Sequence, residues 1–336
     1  MVRMDVRAAN SNRFNPNRPV FSKLIGSAAL AVTILVLYPS SPLAQQQGQK
    51  TFASAEDASQ ALFSAAQSAD QNAMLDVLGP DGRDIISSGD PAEDETNRTN
   101  FVQRFQVLHR LVTEPDGTTT LYVGAENWPT PIPLVTDKGG RWYFDTPSGK
   151  QEILYRRVGQ NELSAIRVCQ ELVSAQKDYF SKQNNEYASK FVSEEGKHNG
   201  LYWLDTNNQF ESPIGPLVAN AGSEGGVAKN LQSGPVPFRG YLFRILDRQG
   251  KHAPGGAMAY IVDGKMTKGF AFVAYPAAYR DSGVMTFIVG QDGVVYEKDL
   301  GKETEERAKG MTTFDPDSSW KKSAMPEQSA DNQTTQ

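Results

Sequence analysis

From Phe52 onward the apolar positions recur first at helical spacing and then at alternating spacing, and the chain makes that switch twice. Ala58, Leu62, Ala65 and Ala66 form a stripe behind a capping Ser54, with Glu56 and Asp57 in the first turn, which predicts a helix. A second helix is predicted over Asn72–Leu78, stopped by Gly79-Pro80. A third is predicted over Phe101–Val112, where Phe101, Phe105, Leu108 and Val112 share a side. Ser87–Asn97, with four acids and a Pro, reads as an exposed loop between them. Strands follow at Thr118–Val123, Leu134-Val135 and Arg141–Asp145, the last two joined by an Asp137-Lys138-Gly139-Gly140 turn. The prolines in Trp128-Pro129-Thr130-Pro131-Ile132-Pro133 restrict that run to an edge or an extended approach.

The second switch opens with a longer helix, expected from a capping Asn161 to about Gln183. Glu162 sits in its first turn, and Ile166, Cys169, Leu172, Val173, Gln176 and Phe180 lie on one side. Asn184-Asn185, Glu194–Gly200 and the Gly/Pro/Ser-rich stretch 211–237 read as loops. Strands are predicted at Tyr241–Leu246, Met258–Val262, Phe270–Tyr275, Val284–Val289 and Val294–Glu297, with turns at Asp263-Gly264 and Gln291-Asp292-Gly293. Four or five antiparallel strands of this kind can bury one face against the long helix. The expectation is an α+β protein of two domains, 52–158 and 159–312, each helices on an antiparallel sheet. A flexible leader, 45–51, precedes them and a disordered tail, 313–336, follows.

The start of the chain has another pattern. Arg3, Arg7, Arg13, Arg18 and Lys23 precede an apolar run from Leu24 to Tyr38, then Pro39-Ser40-Ser41-Pro42 and Leu43-Ala44. A basic region, a short apolar stretch and a small residue describe a secretion signal over 1–44, cut after Ala44. The apolar run is short for a permanent span, so no stable membrane segment is expected after cleavage. No Cys follows it to take a lipid, and no adjacent Arg pair marks twin-arginine export. The expected location is periplasmic or secreted. Without residues 1–44, 29 basic residues face 38 acidic ones. That acidic balance argues against nucleic acid and anionic lipid as partners. The lone Cys169 excludes an intramolecular disulfide, leaving hydrophobic burial to stabilise the fold.

Several strings carry a resemblance: Leu78-Gly79-Pro80, Trp128 through Pro133, Trp142 through Thr146, Arg156 through Leu163, Gly200 through Trp203, Ser212 through Pro216, Gly283 through Phe287 and Val295 through Gly301. Together they resemble a family of secreted bacterial proteins known only as a domain of unknown function, number 2950. That resemblance implies export and lends no activity. The chain departs from it at Arg280, where the family typically carries Gly after the Tyr, which implies a different turn there. The first half is also similar to cone-shaped nuclear-transport-factor-like or cystatin-like folds. The second half, from Ala165 through Tyr179 and the strands at Gly240–Arg244, Phe272–Pro276, Thr286–Val289 and Asp292–Val295, looks like a type IV pilin-like head domain. The apolar stem of a pilin is missing, since 141–160 carries Arg141, Asp145, Lys150, Glu152, Arg156 and Arg157.

Candidate chemistry is sparse. Cys169 falls on the helix's core side and reads as a small buried hydrophobe rather than a reactive thiol. His109, His198 and His252, placed in a helix, a loop and a turn, show no ligand spacing for zinc and no triad order. Asp90, Glu93, Asp94 and Glu95 do not follow a calcium-loop pattern and read as a solvated acidic segment. Gly222-Ser223-Glu224-Gly225-Gly226 lacks the ending of a phosphate loop. No cofactor or metal is expected. Glu152 and Arg156 are spaced to pair on a helix. Arg156, Arg157, Asn161 and Glu162 surround the predicted hinge, either as a carboxylate-binding cleft or as an ion-pair lock between the halves. Trp128, Trp142, Tyr202, Trp203, Tyr241, Tyr275 and Tyr279 are either core or a stacking platform.

The function these patterns favour is non-catalytic: an exported envelope protein binding an unidentified envelope protein or ligand. Its binding residues would be Trp128, Arg156, Arg157, Glu162, Tyr202 and Trp203. Two alternatives stand beside it. One is a periplasmic hydrolase pairing Glu152 or Glu162 with Asp145 across 5–9.5 Å. The other is a small-molecule pocket between the helices and sheet of a cone-like first half.

Overall fold

The computed structural model describes residues 45–183, 185–194, 196–203, 212–214 and 237–324. The segment read as an export signal and the run at 222–226 lie outside them, as does most of the 211–237 stretch. The fold is α+β, with antiparallel sheets before and after a central helix.

The amino-terminal half begins with α1 (Ala55–Gln67), whose Ser54 cap accepts from the Asp57 amide, and α2 (Gln71–Leu78), capped by Asp70. Gly79 ends α2 at φ 80°, and a 3-10 turn (Pro80–Gly82) leads into a single turn of helix, α3 (Arg83–Ile86). The segment expected to be an acidic loop is instead the start of α4 (Pro91–Val107). Asp90 caps it, accepting from the Ala92 and Glu93 amides at 2.9 and 3.3 Å, with Pro91 in the first turn. Acids near the positive end of a helix dipole favour that outcome. The helix stops five residues before the expected Val112, because His109–Thr113 pairs as β1 with β2 (Thr119–Val123). His109 is therefore on a strand, where Phe105 stacks between it and Phe63.

The five-stranded sheet is completed by β3 (Trp128–Pro129), β4 (Leu134–Thr136) and β5 (Trp142–Phe144). Both β3 and β4 pair with β2, at opposite ends of it, so the chain bows out of the ladder between them after Thr130, whose amide still donates to Leu121 O. Asp137 makes the β4–β5 turn through its side chain, accepting from the Gly139 and Arg141 amides. The expected flexible leader is bonded in: buried Gln49 donates to the carbonyls of Val77 and Phe144.

The central helix α5 runs from Thr146 to Lys182, fifteen positions earlier than Asn161 at its start. Asp145 is the cap, with its Oδ2 2.6 Å from Ser148 Oγ and Pro147 in the first turn. Gly149 and Gly159, both poor helix formers, interrupt the sequence pattern without breaking the helix. At Gly149 a side chain has no room: a Cβ would lie 2.6 Å from Ile132 Cγ1 and 3.0 Å from its Cα. The predicted hinge at 156–162 is thus the middle of a continuous rod.

In the second half, β6 (Tyr241–Leu246), β11 (Ala271–Pro276), β12 (Met285–Gly290), β13 (Val295–Asp299) and β15 (Lys321–Lys322) form an antiparallel sheet in the order β15-β13-β12-β11-β6. The stretch expected as one strand at Met258–Val262 is split. Met258–Ala259 (β8) pairs with Arg248–Gln249 (β7), while Ile261–Val262 (β9) forms a hairpin with Lys265–Met266 (β10). Asp263 and Gly264, at φ 52° and 78°, give that hairpin its two-residue turn of the type that matches strand twist. All six residues of β11 are buried, so both faces of the sheet are covered: α5 packs against it, and so does α6 (Thr304–Gly310). Arg244 on β6 donates to the Ala308, Lys309 and Met311 carbonyls at the end of α6. Residues 313–324 of the expected tail are bonded in: Thr313–Phe314 (β14) pairs with β7, and β15 pairs with β13. Phe314 is buried there, and Lys298 lies 5.7 Å from the Trp320 ring centre.

Burial differs between the halves. One continuous apolar cluster unites α5 with the second sheet, and it contains Cys169, Leu172, Tyr241, Phe272 and Phe287. The first half has three smaller clusters instead, centred on Leu78 and Phe144, on Met74, and on Phe105. Among the described residues no helix is long and apolar enough to cross a membrane.

Candidate functional site

Between the first two of those small clusters lies a cavity of about 220 Å³. Its floor is apolar: Leu62 and Ala66 from α1, Met74 and Leu78 from α2, Ile85 and Ile86 from α3, and Phe144 from β5. One wall is the bowed run after β3, with Trp128, Thr130, Pro131 and Ile132 in the lining. Prolines on either side of Thr130 hold that run away from the ladder, and this is why the space is not filled by a regular strand. The opposite wall is α4, which contributes Asp94, Asn97, Arg98 and Phe101, the i, i+3, i+4, i+7 positions of one helix face.

The polar groups of this lining are few and unevenly engaged. Asp94 accepts from the Ser88 amide at 2.7 Å, and that bond, with the field of Arg98, holds its carboxyl below the usual range. Arg98, half-buried, makes no hydrogen bond or ion pair with any described residue. Thr130 Oγ1 is buried and has no hydrogen-bond partner among the described residues, although its amide donates to Leu121 O. Trp128 is 42 % exposed, with the guanidinium carbons of Arg104 and Arg156 5.7 and 5.3 Å from its ring centre.

Arg156 ties that wall to α5. Its Nε donates to Glu152 at 2.7 Å, as the i, i+4 spacing requires, and its Nη1 donates to Pro129 O at 2.7 Å. The next residue grips the other half. Arg157 Nη2 donates to Asp281 Oδ1 at 2.6 Å and to Asp281 O. Asn161 donates to Ser282 O, and Glu162 Oε1 accepts from the Val284 and Met285 amides at 2.8 and 3.0 Å. Burial raises the Glu162 carboxyl above its usual range despite those two bonds. Successive helix residues point about 100° apart, so the Arg156-Arg157 pair faces two ways. This is the lock arrangement rather than a shared carboxylate cleft.

Residues 49–323 match the family DUF2950, described as a protein of unknown function. The chain belongs to that family. No curated protein and no solved structure matches the chain. Within this DUF2950 chain, the string Trp128–Pro133 is the bowed cavity wall, and Arg156–Leu163 is the double grip of α5. Gly283–Phe287 receives that grip through the Val284 and Met285 amides. Arg280 sits at φ 68°, a left-handed conformation that suits Gly.

Of the six residues read as a binding face, the structure joins only Trp128 and Arg156. Arg157 and Glu162 serve the lock. Tyr202 is buried, with no partner for its hydroxyl among the described residues, and Trp203 stacks on His198 at 4.5 Å. That loop is anchored by Tyr179, whose hydroxyl donates to His198 O. Tyr179 lies roughly 35 Å along α5 from Arg156 at 1.5 Å per residue, so Tyr202 and Trp203 share no face with Trp128. Of the other rings, Tyr241 and Tyr275 are buried, Trp142 packs beside Phe144, and Tyr279 donates to Asp299 Oδ2 at the surface.

Among the described residues, the carboxylates of the hydrolase alternative are engaged elsewhere. Asp145 caps α5, Glu152 pairs with Arg156, and Glu162 stands about 25 Å up the helix from Asp145. Cys169 is fully buried and its thiol is pushed up to about 12. His252 pairs with Asp315 at 3.0 Å. Among the described residues no group of three or more His, Cys, Asp or Glu is placed to hold a metal. Sequence reasoning missed Arg98, Thr130, Met74 and Phe101 as cavity residues. The available signal is the proline run beside a polar-faced helix, but by composition the first turns of α4 read as loop.

Proposed function

We propose that this chain is an exported binding protein without catalytic activity, whose amino-terminal half holds a small, largely apolar molecule between α1–α4 and the bowed Trp128–Pro133 wall. The observation that carries this is the cavity itself: an apolar floor beside a few polar groups is the usual form of a small-molecule site. The three small clusters around it also leave this half less completely packed than the second. Export is supported by the basic residues and apolar run before Ala44. The second half, a long helix laid on an antiparallel sheet, supports the pilin-head likeness and serves as the scaffold that the lock fastens to the pocket.

The test is titration with 1-aminoanthracene, a neutral apolar fluorophore, of wild type and Ala66→Leu. Ala66 lines the cavity, and its replacement fills part of the floor. Saturable binding to wild type that drops at least tenfold in Ala66→Leu is expected. No binding, or equal binding to both proteins, overturns the reading. Fractionation of cells producing the full chain tests export, with recovery of the shortened protein outside the cytoplasm as the expected result.

A further inference from the structure

Resting on that reading, we infer that the ligand is an acyl chain or similar apolar body ending in a carboxylate, seated with its head against Arg98. The cavity floor offers apolar side chains, Leu62, Met74, Ile86 and their neighbours, so the body of the ligand must be apolar. The head is specified by what remains unspent. Arg98 has five N–H donors and no hydrogen bond or ion pair with a described residue. It stands one helical turn from Phe101, on the α4 face that lines the space. A guanidinium fork matches a carboxylate in two parallel bonds.

Asp94 is the opposing charge in the lining. Its bond from the Ser88 amide spends part of its acceptor capacity, but its charge stays. A cationic head would therefore have one carboxylate to meet and would also face the Arg98 charge. A carboxylate head meets the unspent donors and suffers some repulsion from Asp94. That arrangement makes two substitutions move affinity in opposite directions: Arg98→Gln removes the attraction, and Asp94→Asn keeps the acceptor for Ser88 while removing the repulsion.

The experiment is displacement of bound 1-aminoanthracene from the full-length protein by decanoate, decanol and decylamine. Decanoate is expected to compete about tenfold or more better than decanol, with decylamine weakest. Arg98→Gln is expected to bring decanoate down to the level of decanol, with the decanoate-to-decanol ratio as the readout. Asp94→Asn is expected to strengthen decanoate about two- to fivefold. Equal competition by decanoate and decanol in wild type, or a preference for the amine, overturns the carboxylate assignment while leaving the pocket reading intact. Failure of every compound and of the fluorophore to bind overturns the pocket reading instead. An Arg98→Gln protein that weakens all ligands equally overturns the head-group role of Arg98.

Discussion

Removing the Glu162 side chain tests how α5 is fastened to the second sheet. Oε1 of Glu162 is the acceptor for two part-buried amides, Val284 at 2.8 Å and Met285 at 3.0 Å. In Glu162→Ala both donors lose their partner, and leaving a buried donor unmet costs about 1–3 kcal/mol. Because both amides are only part-buried, water recovers some of that, so the expected loss is about 2–4 kcal/mol in total. The removed carboxylate gives something back, since burial disfavours its charge. Glu162→Gln separates the two effects: its amide oxygen can accept both bonds, and it carries no charge. The folded-state value of Glu162 is raised above the unfolded one, so the folded state binds more protons through that window. Wild-type stability from this group therefore falls as pH rises from the ordinary carboxylate range through the raised value, and the Gln variant lacks that slope. Urea unfolding followed by far-UV circular dichroism, at pH values below and above the window, reads both quantities. Equal stability of the Ala variant and wild type would refute the fastening argument. A Gln variant as weak as Ala would refute the assignment of the two bonds to an uncharged-competent acceptor.

Other expectations concern backbone and burial. Gly159 has open space around an added Cβ, so Gly159→Ala should raise stability by about 0.5–1 kcal/mol by thermal unfolding, whereas Gly149→Ala should lower it by colliding with Ile132. The Gly149 change should also weaken 1-aminoanthracene binding, because Ile132 lines the cavity. Arg280→Gly should stabilise the turn by up to about 1 kcal/mol, the smaller side of the cost of a left-handed residue. Cys169, with its thiol pushed up to about 12, should resist a disulfide exchange reagent at pH 8 in the folded protein and react fully in urea; rapid native labelling would contradict its burial.

The second sheet was legible because its strands are apolar enough to stand out and its turns carry their own chemistry. Tyr241–Leu246 falls where alternation and aromatics placed it, and Asp263-Gly264 is a turn for the reason its residues suggest. The long helix was legible only from Asn161 on. Its first turns carry Lys150, Glu152, Arg156 and Arg157, which face solvent or the two sheets, so no single apolar stripe runs along it. The better signal was local: Asp145 followed by Thr-Pro-Ser caps a helix regardless of the pattern beyond. The start of α4 was hidden in the same way, since Asp90-Pro91 is a cap and first turn inside what composition alone reads as loop. The cavity was the least legible feature. Its residues come from four helices and two strands, and a space left unfilled has no residue of its own to announce it.

The side-by-side grips of Arg156 and Arg157 make helical phase, rather than span, the quantity that joins the sheets. A single residue inserted between Arg157 and Asn161 would advance everything downstream by only about 1.5 Å but turn it by about 100°, swinging Asn161 and Glu162 away from the Ser282–Met285 strand entry. Deletions there would do the same in the opposite sense. Insertions of seven residues, close to two whole turns, would restore the angle while moving Asn161 and Glu162 about 10 Å along the axis from Arg157, a shift that the Asp281 bond to Arg157 and the Ser282–Met285 bonds to Asn161 and Glu162 could not both follow. This stretch of α5 should therefore tolerate substitution far better than any change in length.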